Sequence, residues 1–416
     1  MISLSGQPMK IAQVDVNYNF SSTGKIVADL LVGLGDRGHS CQAYFGRGPA
    51  SGQHHVHKIS STPEFLVHVL GTRISGLTDG FSPMATRRLI GQFEAFNPDL
   101  VHLHDLHGYF LNIRPVVEYL KSRRIPTVWT FHSEFMYTGK CGYAFDCENW
   151  KTVCHACPDL KGYPETWFFD FTTRMFREKQ AMFADFQNLH LVAPSAWLAN
   201  RMRQSLVGGH PISVIHNGLE VAMFYRRDTK ALSASLGLTD EYVVLSVGSN
   251  LLSEIKGGRW VLELAKRMPQ SRVVFLMVGV DQVPSKLPDN VKMIPRVTDQ
   301  ALLAQYYSLA DVLLLTSAKE TFSMVSAESL ACGTPVIGFD SGAPKEVALP
   351  GYGAFVPYPD LDALEALLAK ARDGTAGLKE PADCERFAQE RYAKEIMVQA
   401  YERIYKRLVN THSGEQ

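Results

Sequence analysis

The sequence lacks a net charge, a long apolar run and an internal repeat. Lysine plus arginine balance aspartate plus glutamate at 42 residues each, so no net field attracts nucleic acid or an anionic bilayer. No apolar run approaches the ~20 residues of a membrane-spanning helix, and residues 1–9 lack the charged start and apolar core of a signal peptide. We therefore expect a cytoplasmic protein that does not bind nucleic acid.

Cysteine is also scarce, and seven residues in a cytoplasmic chain argue against a disulfide framework. Four of them fall in one loop-like stretch with the spacing C-x5-C-x6-C-x2-C, namely Cys141, Cys147, Cys154 and Cys157. Four thiolates at such spacings can surround a tetrahedral zinc ion, which would be structural. The alternative is four reduced thiols packed beside Tyr143 and Trp150, and the sequence leaves both interpretations open.

Length and hydrophobic pattern predict two domains, because 416 residues exceed one usual domain. Apolar strands alternate with amphipathic helices, which is typical of parallel sheets covered on both faces. The expected fold class is α/β, with two doubly wound Rossmann-like domains and ligands bound at the carboxyl ends of strands, in the cleft between the domains. The predicted strands lie near residues 10–16, 42–45, 100–104, 126–131 and 189–193, and near 243–247, 273–278, 312–316 and 335–338.

The most informative stretch is KETFSMVSAESLACGTP, residues 319–335. A buried strand precedes it, and helical apolar spacing begins at Ser323, which places Glu320 on the connecting loop. The start of a helix offers unpaired N–H groups to a phosphate, while Glu320 can accept hydrogen bonds from sugar hydroxyls. Glu328, two turns along the same helix face, can hold a ribose. The alternative is a pair of solvated acidic residues at an ordinary βα turn.

Two further residues point to phosphate chemistry. Lys256 carries a compact ammonium that would neutralise a departing diphosphate; otherwise it is a solvated loop lysine. Gly24, in the first βα turn, would let the backbone approach a phosphate or an acceptor closely, because no Cβ intervenes. A plain turn explains Gly24 as well.

Histidines cluster at the ends of two predicted strands. His132 ends one strand at the edge of the expected cleft, where a neutral imidazole could hydrogen-bond the reacting sugar; a structural role is the alternative. His102 and His104 share one strand face, as a metal pair would, but we interpret them as hydrogen-bonded side chains that line the cleft.

Aromatic residues are dense in residues 163–176, which include Trp167, Phe168, Phe169 and Phe176. We interpret this segment as core, because aromatic stripes are buried more often than they are exposed. The alternative is contact with a lipid-linked acceptor or with the membrane surface.

These motifs together resemble the retaining, family-four glycosyltransferases of the two-domain GT-B type. Further matching segments are VIHNGLE ending at Glu220, the Gly248 turn with Lys256 and Gly257, residues 340–346, and the Gly-x-Gly ending at Gly353. Within the family, WTFH ending at His132, together with the cysteine stretch that closes with Cys154-x-x-Cys157-Pro, resembles the bacterial exopolysaccharide enzymes of the colanic acid cluster.

The resemblance implies an acceptor-side domain over residues 9–209 and a donor-binding domain over 210–390, with a C-terminal helix, 391–412, that packs back on the first. It implies catalytic roles for His132 and Glu320. The implied donor-binding residues are Gly24, Lys256, Arg296, Phe322, Ser323, Met324, Val325 and Glu328.

The implied reaction moves a hexose from a nucleoside diphosphate sugar to an acceptor in exopolysaccharide biosynthesis, and this acceptor is either a saccharide or one linked to a polyprenyl diphosphate lipid. No cofactor is expected for catalysis, and peripheral association with the inner face of the membrane fits such an acceptor.

The sequence departs from the family at two positions. Many members have arginine directly after the glycine that corresponds to Gly248, where this chain has Ser249; Arg259 or Arg296 are the candidate replacements. Asp often follows the histidine that corresponds to His132, where this chain has Ser133. These departures keep two rival hypotheses open, a non-catalytic subunit of a polysaccharide assembly complex and a GT-B nucleotide-sugar epimerase.

Overall fold

The computed structural model describes residues 7–269 and 272–414. The chain divides into two compact units, one running up to His216 and resuming at Met397, the other running from Asn217 to Ile396. Our predicted division, at residues 209 and 210, falls earlier than this one. The difference arises because a short strand, Ile212–Val214, pairs with the sheet of the first unit.

The described residues of the first unit form a seven-stranded sheet in the order β3-β2-β1-β4-β5-β6-β7, with parallel pairing throughout. Its strands are rich in apolar residues because both faces are covered. They are β1 (Lys10–Asn17), β2 (Ser40–Arg47), β3 (Val56–Lys58), β4 (Leu100–Leu103), β5 (Thr127–Thr130), β6 (Leu189–Ala193) and β7 (Ile212–Val214).

The described residues of the second unit form a six-stranded parallel sheet in the order β10-β9-β8-β11-β12-β13. In both sheets the strand order reverses beside the first strand of the unit, which is the switch point where doubly wound folds bind ligands. The strands are β8 (Tyr242–Val247), β9 (Val273–Val278), β10 (Val291–Ile294), β11 (Val312–Leu315), β12 (Val336–Asp340) and β13 (Gly353–Pro357).

Helices connect the strands and cover the sheets. Two short 3-10 turns, Phe135–Tyr137 and Asn149–Lys151, lie in the long segment after β5. The α-helices are α1 (Ser21–Gly35), α2 (Thr62–Ser75), α3 (Pro83–Phe96), α4 (Ile113–Ser122), α5 (Thr172–Phe183), α6 (Ala196–Arg203), α7 (Lys230–Ser235), α8 (Gly258–Arg267), α9 (Gln300–Leu309), α10 (Met324–Ala331), α11 (Pro344–Val347), α12 (Leu361–Arg372), α13 (Pro381–Tyr392) and α14 (Lys394–Gly414).

The last helix contributes to the core of the first unit. Tyr401 and Tyr405 of α14 are fully buried in one cluster with Ile11 and Leu30. We expected this helix to begin at residue 391, but Ala393 has an extended conformation and separates α13 from α14. Among the described residues, no helix combines the length and the apolar character needed to cross a membrane.

Candidate active site

Glycine residues follow two neighbouring strands of the second unit, β8 and β9. Gly279, directly after β9, has a φ of +96°, and a Cβ built there would lie 2.0 Å from the carbonyl oxygen of Gly248. Gly248 donates its own N–H to the carbonyl of Val278 over 3.1 Å. Only glycine fits Gly279, so two strand ends approach each other without side chains between them.

Lys256 and Glu320 meet at this edge of the sheet. The Lys256 Nζ lies 2.7 Å from Glu320 Oε1, and the two side chains are 30% and 12% exposed. The loop that carries Lys256 is fixed to the end of β11, because Thr316 Oγ1 donates to the Lys256 carbonyl over 3.1 Å and Ala318 N–H donates to the Ile255 carbonyl over 2.8 Å. The structure therefore brings together two residues that are 64 positions apart.

Backbone hydrogen bonds hold Glu320 from its other side. Its N–H donates to the Ser341 carbonyl over 2.9 Å, and its carbonyl accepts from the Ala343 N–H over 3.0 Å. These bonds form a short parallel bridge to Gly342 after β12. Glu320 thus lies between the ends of β11 and β12, and its backbone cannot move independently of either strand.

The start of α10 follows directly. Ser323, its N-cap, adopts a left-handed conformation with a φ of +85°, and its side chain makes no capping hydrogen bond to a backbone N–H of the first turn. Its Oγ instead lies 2.8 Å from Ser326 Oγ. A non-glycine residue in this conformation is uncommon and costs free energy. The result is a helix start without a side-chain cap from Ser323, which suits an anion.

Glu328 is oriented from behind by a buried tyrosine. The Tyr307 hydroxyl donates to Glu328 Oε2 over 2.7 Å. Burial, and the carboxylate beside it, raise the pKa of Tyr307 well above its ordinary value, so this hydroxyl stays a donor. Glu328 is partly exposed. The Tyr307 hydroxyl therefore fixes the orientation of a carboxylate that is not fully buried.

The first unit places a different chemistry at the ends of its strands. His104 Nδ1 and His132 Nε2 are 3.2 Å apart, and His102 contacts the hydroxyls of Thr130 and Tyr405 at 2.8 and 2.5 Å. Burial lowers the pKa of His132 to about 3 and that of His102 and His104 well below the ordinary value. All three imidazoles are therefore neutral at pH 7.

Two carboxyl groups accompany these histidines, Asp15, which is buried, and Asp105, which is partly buried. Asp15 Oδ1 accepts from the Asp105 N–H over 3.1 Å, and Asp15 Oδ2 accepts from the Thr23 hydroxyl over 3.2 Å. Asp105 in turn accepts hydrogen bonds from the backbone N–H of His132 and from the Ser133 side chain. Desolvation raises the pKa of Asp15 to about 8 and that of Asp105 to about 7.

Two family models match the chain in tandem. The model described as Glycosyltransferase Family 4 matches residues 23–222, and that described as Glycosyl transferases group 1 matches residues 228–391. The chain belongs to the family-four glycosyltransferases.

Similar proteins agree with this assignment. A putative colanic acid biosynthesis glycosyl transferase, WcaC of Escherichia coli K12, is 24% identical over 96% of this chain and all of its own length. The solved sucrose-phosphate synthase of Thermosynechococcus elongatus is 19% identical, has a TM-score of 0.72, and covers 97% of this chain and 100% of its own. Anabaena HepE, solved in complex with UDP-glucose, is 16% identical with a TM-score of 0.63, at 98% and 100% coverage. These structures share the GT-B fold.

The other predicted donor residues of this glycosyltransferase lie at the start of α10 and after β10. Phe322 is buried, and Met324 and Val325 form the first turn of α10. Arg296 is exposed after β10, the edge strand, and three strand positions separate β10 from β11. The guanidinium of Arg259 lies over the Trp260 ring, 4.6 Å from its centroid. Replacement of the family arginine at Ser249 by either residue stays a prediction.

Gly24 fits tightly inside its own turn. A Cβ there would lie 3.2 Å from the carbonyl of Asn17 and from the nitrogen of Asn19. The Gly24 carbonyl accepts from the Asn19 N–H over 2.9 Å. This packing accounts for the glycine through the turn itself, and its approach to a ligand stays a prediction.

The cysteine stretch is a cluster of thiols in the structure. Cys141 hydrogen-bonds Cys157 and lowers the pKa of that thiol to about 7, while Cys154 Sγ accepts from the Gly139 N–H over 3.1 Å. All of the cysteines are free. Within residues 7–269 and 272–414, no group of three or more His, Cys, Asp or Glu side chains is arranged to hold a metal ion. A zinc site at Cys141, Cys147, Cys154 and Cys157 therefore stays a prediction without support from this geometry.

The core interpretation of the aromatic segment is wrong for three consecutive residues. Trp167, Phe168 and Phe169 are 46%, 68% and 51% exposed, whereas Phe176 is buried. The reason is that α5 begins only at Thr172, so Phe176 lies on a core-facing helix while the other three lie on the preceding loop.

Sequence reasoning also missed the Asp15 and Asp105 pair. The two residues are 90 positions apart, so no local spacing reveals them. The sequence did contain one indication, because Asp15 is an ionisable residue in a largely apolar strand pattern. Ionisable residues are seldom buried unless they are paired or hydrogen-bonded.

Proposed function

We propose that this glycosyltransferase moves a hexose, with retention of anomeric configuration, from a nucleoside diphosphate sugar to a saccharide carried on a polyprenyl diphosphate lipid. The product would be part of an exopolysaccharide repeat unit assembled in the cytoplasm. The contact between Lys256 and Glu320, next to the start of α10, carries the proposal.

The diphosphate of the donor requires positively charged or N–H groups that are small enough to approach it closely. Lys256 supplies a compact ammonium, and the first turn of α10 supplies N–H groups and the positive end of the helix dipole. Negative charge grows on the diphosphate as the bond to the sugar breaks. Groups that are already held in place stabilise that charge without reorganisation, and the backbone contacts of Lys256 and Glu320 hold both residues in place.

The two carboxylates suit the two parts of the donor that carry hydroxyls. Glu320, fixed by its bridge to Gly342, would accept hydrogen bonds from the hexose. Glu328, oriented by Tyr307, would hold the ribose through its two hydroxyls. Charge-assisted hydrogen bonds of this kind are the stronger class. Donor recognition would then rest on residues from one unit.

Acceptor binding is assigned to the first unit, where His132, just after β5, is a neutral imidazole. A neutral ring can both donate and accept a hydrogen bond at a sugar hydroxyl. Retention requires the acceptor hydroxyl to approach the sugar carbon on the same face as the departing phosphate. Exclusion of water from that position would prevent hydrolysis of the donor.

The full-length similarity to a putative colanic acid enzyme supports the polysaccharide assignment. The test is incubation of the purified chain with nucleoside diphosphate hexoses and a polyprenyl diphosphate sugar acceptor, followed by mass analysis and NMR of the product. A product one hexose heavier, with the anomeric configuration of the donor, is expected. An isomerised donor with no transfer would instead identify an epimerase, and an inverted linkage would refute retention.

The matched control is Glu241→Gln beside Glu320→Gln. Glu241 is a partly exposed carboxylate just before β8, at the sheet edge opposite the site. Transfer should survive the first substitution and fall with the second. Equal activity of both variants would remove Glu320 from the proposed donor site.

A further inference from the structure

A carboxyl group lies beside Ser133, one of the positions at which this chain departs from the family. An aspartate often follows the histidine that corresponds to His132, and this chain has a serine there. The Ser133 side chain makes a hydrogen bond to the Asp105 carboxyl group, which also accepts from the backbone N–H of His132. A carboxyl group therefore reaches this position from a different element of the first unit.

The fold explains how Asp105 takes this place. Strand β4 ends at Leu103 and β5 at Thr130, and the two strands are parallel neighbours. Asp105 and Ser133 each follow the end of their strand by a few residues, so both lie at the same edge of the sheet. The Asp105 N–H also donates to Asp15 Oδ1 over 3.1 Å, which ties the residue to β1 on its other side.

The hydrogen bonds around Ser133 have one consistent direction. An ionised carboxylate can only accept, so the Ser133 hydroxyl donates to Asp105. Ser133 Oγ then accepts from His107 Nε2, which lies 2.9 Å away. Burial lowers the pKa of His107 to about 4, so the ring is neutral at pH 7 and its Nδ1 accepts from the Tyr163 hydroxyl over 3.4 Å. The chain of donors from Tyr163 thus ends on the Asp105 carboxylate.

The Asp105 carboxylate retains capacity for a further hydrogen bond. An ionised carboxylate offers about four lone-pair positions, and the Ser133 hydroxyl and the His132 N–H occupy two of them. His107 Nε2 lies 3.6 Å from Asp105 Oδ1, and the side chains of His107 and Asp105 are each 14% exposed. The carboxylate is therefore oriented by the protein and still open to a ligand.

An exposed aromatic ring lies next to His107. The Tyr163 ring centroid is 5.5 Å from that of His107, and Tyr163 is 44% exposed. The Tyr163 carbonyl accepts from the Gly142 N–H over 3.0 Å, and the buried ammonium of Lys140 donates to the carbonyls of the residues on either side at 3.1 and 2.6 Å. An ordered loop binds without a further loss of conformational entropy. Aromatic rings with a few fixed polar groups are typical of ligand sites, and a saccharide has both hydroxyl groups and C–H faces to offer them.

We propose that Asp105 supplies the carboxyl group that this chain lacks at Ser133, and that it accepts a hydrogen bond from a hydroxyl of the acceptor saccharide, with Tyr163 against the sugar ring. This inference rests on the proposed function, because it assigns contacts to the acceptor of that reaction. Ser133 then marks a change in the position of a carboxyl group and not its loss, so it gives no support to a non-catalytic subunit.

The test exchanges the two residues. Transfer to the polyprenyl diphosphate sugar acceptor is measured for wild type, for Asp105→Ser, and for Asp105→Ser combined with Ser133→Asp. Asp105→Ser should lower kcat/KM for the acceptor at least about tenfold, because a hydrogen bond to a charged group is lost. The exchange variant has a carboxyl and a hydroxyl group at the same two positions in reverse order, and it should recover most of that loss.

Measurements on the donor separate acceptor binding from a structural role. In Asp105→Ser the KM of the donor and the rise in Tm with nucleotide should match wild type, while the KM of the acceptor rises. Asp105→Asn should raise the acceptor KM in the same way, and it decides the question if the exchange variant does not fold. The matched control is Asp99→Asn, because Asp99 is an exposed aspartate just before β4, at the opposite end of the strand from Asp105. This control should transfer like wild type.

Three results would overturn the inference and leave the proposed function intact. The acceptor KM could be unchanged in both Asp105 variants, a folded exchange variant could be no more active than Asp105→Ser, or Asp105→Ser could weaken donor and acceptor binding equally. The last result would assign Asp105 to the structure of the sheet edge. Absence of transfer by wild type would instead overturn the proposed function, and this inference with it.

Discussion

The two sheets of this glycosyltransferase end in opposite kinds of polar chemistry. In the second unit, Lys256 and Glu320 are charged groups in direct contact, and their side chains are 30% and 12% exposed. In the first unit, His132 and Asp15 are buried and Asp105 is partly buried, and desolvation shifts the pKa values of all three toward the neutral forms. A diphosphate needs a lasting positive charge beside it, whereas the hydroxyl groups of an acceptor saccharide can also be bound by neutral donors and acceptors of hydrogen bonds. The same fold thus supplies both kinds of group, one at each sheet edge.

The largest effect should follow loss of the charge at the donor site. Lys256→Ala should lower kcat/KM for transfer at least about a hundredfold, because the ammonium stabilises charge that develops on the leaving diphosphate. Steady-state kinetics at saturating acceptor measures this. Lys266→Ala, which removes an exposed lysine of α8, is the control and should retain full activity. If kcat/KM is unchanged in Lys256→Ala, the positive charge at the edge of the second sheet does not contribute to catalysis.

The next largest effect on activity should follow loss of the His132 imidazole in the first unit. His132→Ala should lower kcat more than about tenfold, since a hydrogen bond at the reacting sugar is lost. Because burial lowers the pKa of His132 to about 3, the ring stays neutral across the working range. The acidic limb of the wild-type pH profile should therefore not report this residue. An acidic limb that disappears in His132→Gln would contradict the neutral assignment.

A smaller effect is expected from a change in Tyr307, the residue that orients Glu328. Tyr307→Phe removes the hydroxyl that donates to Glu328 Oε2, and Glu328 should then hold the ribose less precisely. We expect the donor KM to rise about three- to tenfold with little change in kcat, a free energy of about 1 kcal/mol. Tyr306→Phe, in the same helix, is the control. A change confined to kcat would argue against a binding role for Glu328.

Much of this architecture follows from the sequence. The predicted strands near residues 189–193 and 273–278 coincide with β6 and β9, because buried parallel strands are nearly continuous apolar runs. The strands that escaped prediction include β3 and β10, which are short and lie at sheet edges with mixed composition. A run of three or four residues carries too little periodicity to be recognised.

The site residues were likewise predictable only where local sequence signals were present. Glu320 could be placed on its loop because strand and helix signals flank it closely. Its contact with Lys256 and the contact of Asp15 with Asp105 depend on sheet register across long separations, which local spacing does not encode. Exposure of Phe168 likewise depends on where α5 begins, and helix boundaries are the least determined feature of a sequence.

A further prediction concerns the stability of the first unit and not its activity. In the unfolded chain Asp15 ionises near its ordinary pKa of 3.8, and in the native protein near about 8. Between these pH values the native state binds more protons, so wild type loses stability as pH rises. Asp15→Asn cannot ionise and removes this loss. Relative to wild type, the variant should gain up to about 1.4 kcal/mol for each pH unit, measured by urea unfolding at about pH 5 and about pH 8.

The control for that experiment is Asp289→Asn, because Asp289 is an exposed aspartate of the second unit. Its difference from wild type should be the same at both pH values. If Asp15→Asn also shows no dependence on pH, the carboxyl is not held neutral by burial, and the electrostatic distinction between the two sheet edges fails.

Donor binding by Lys256 and the start of α10 is the central claim, and thermal unfolding with nucleotides tests it most directly. Wild type should be stabilised by one of UDP, GDP or ADP, because a ligand that binds only the native state raises Tm, and at about a hundred times Kd this amounts to about 2.7 kcal/mol. Lys256→Ala should lose most of that shift while keeping its own Tm without ligand. Equal shifts in wild type and Lys256→Ala, or no shift with any nucleotide, would contradict the account.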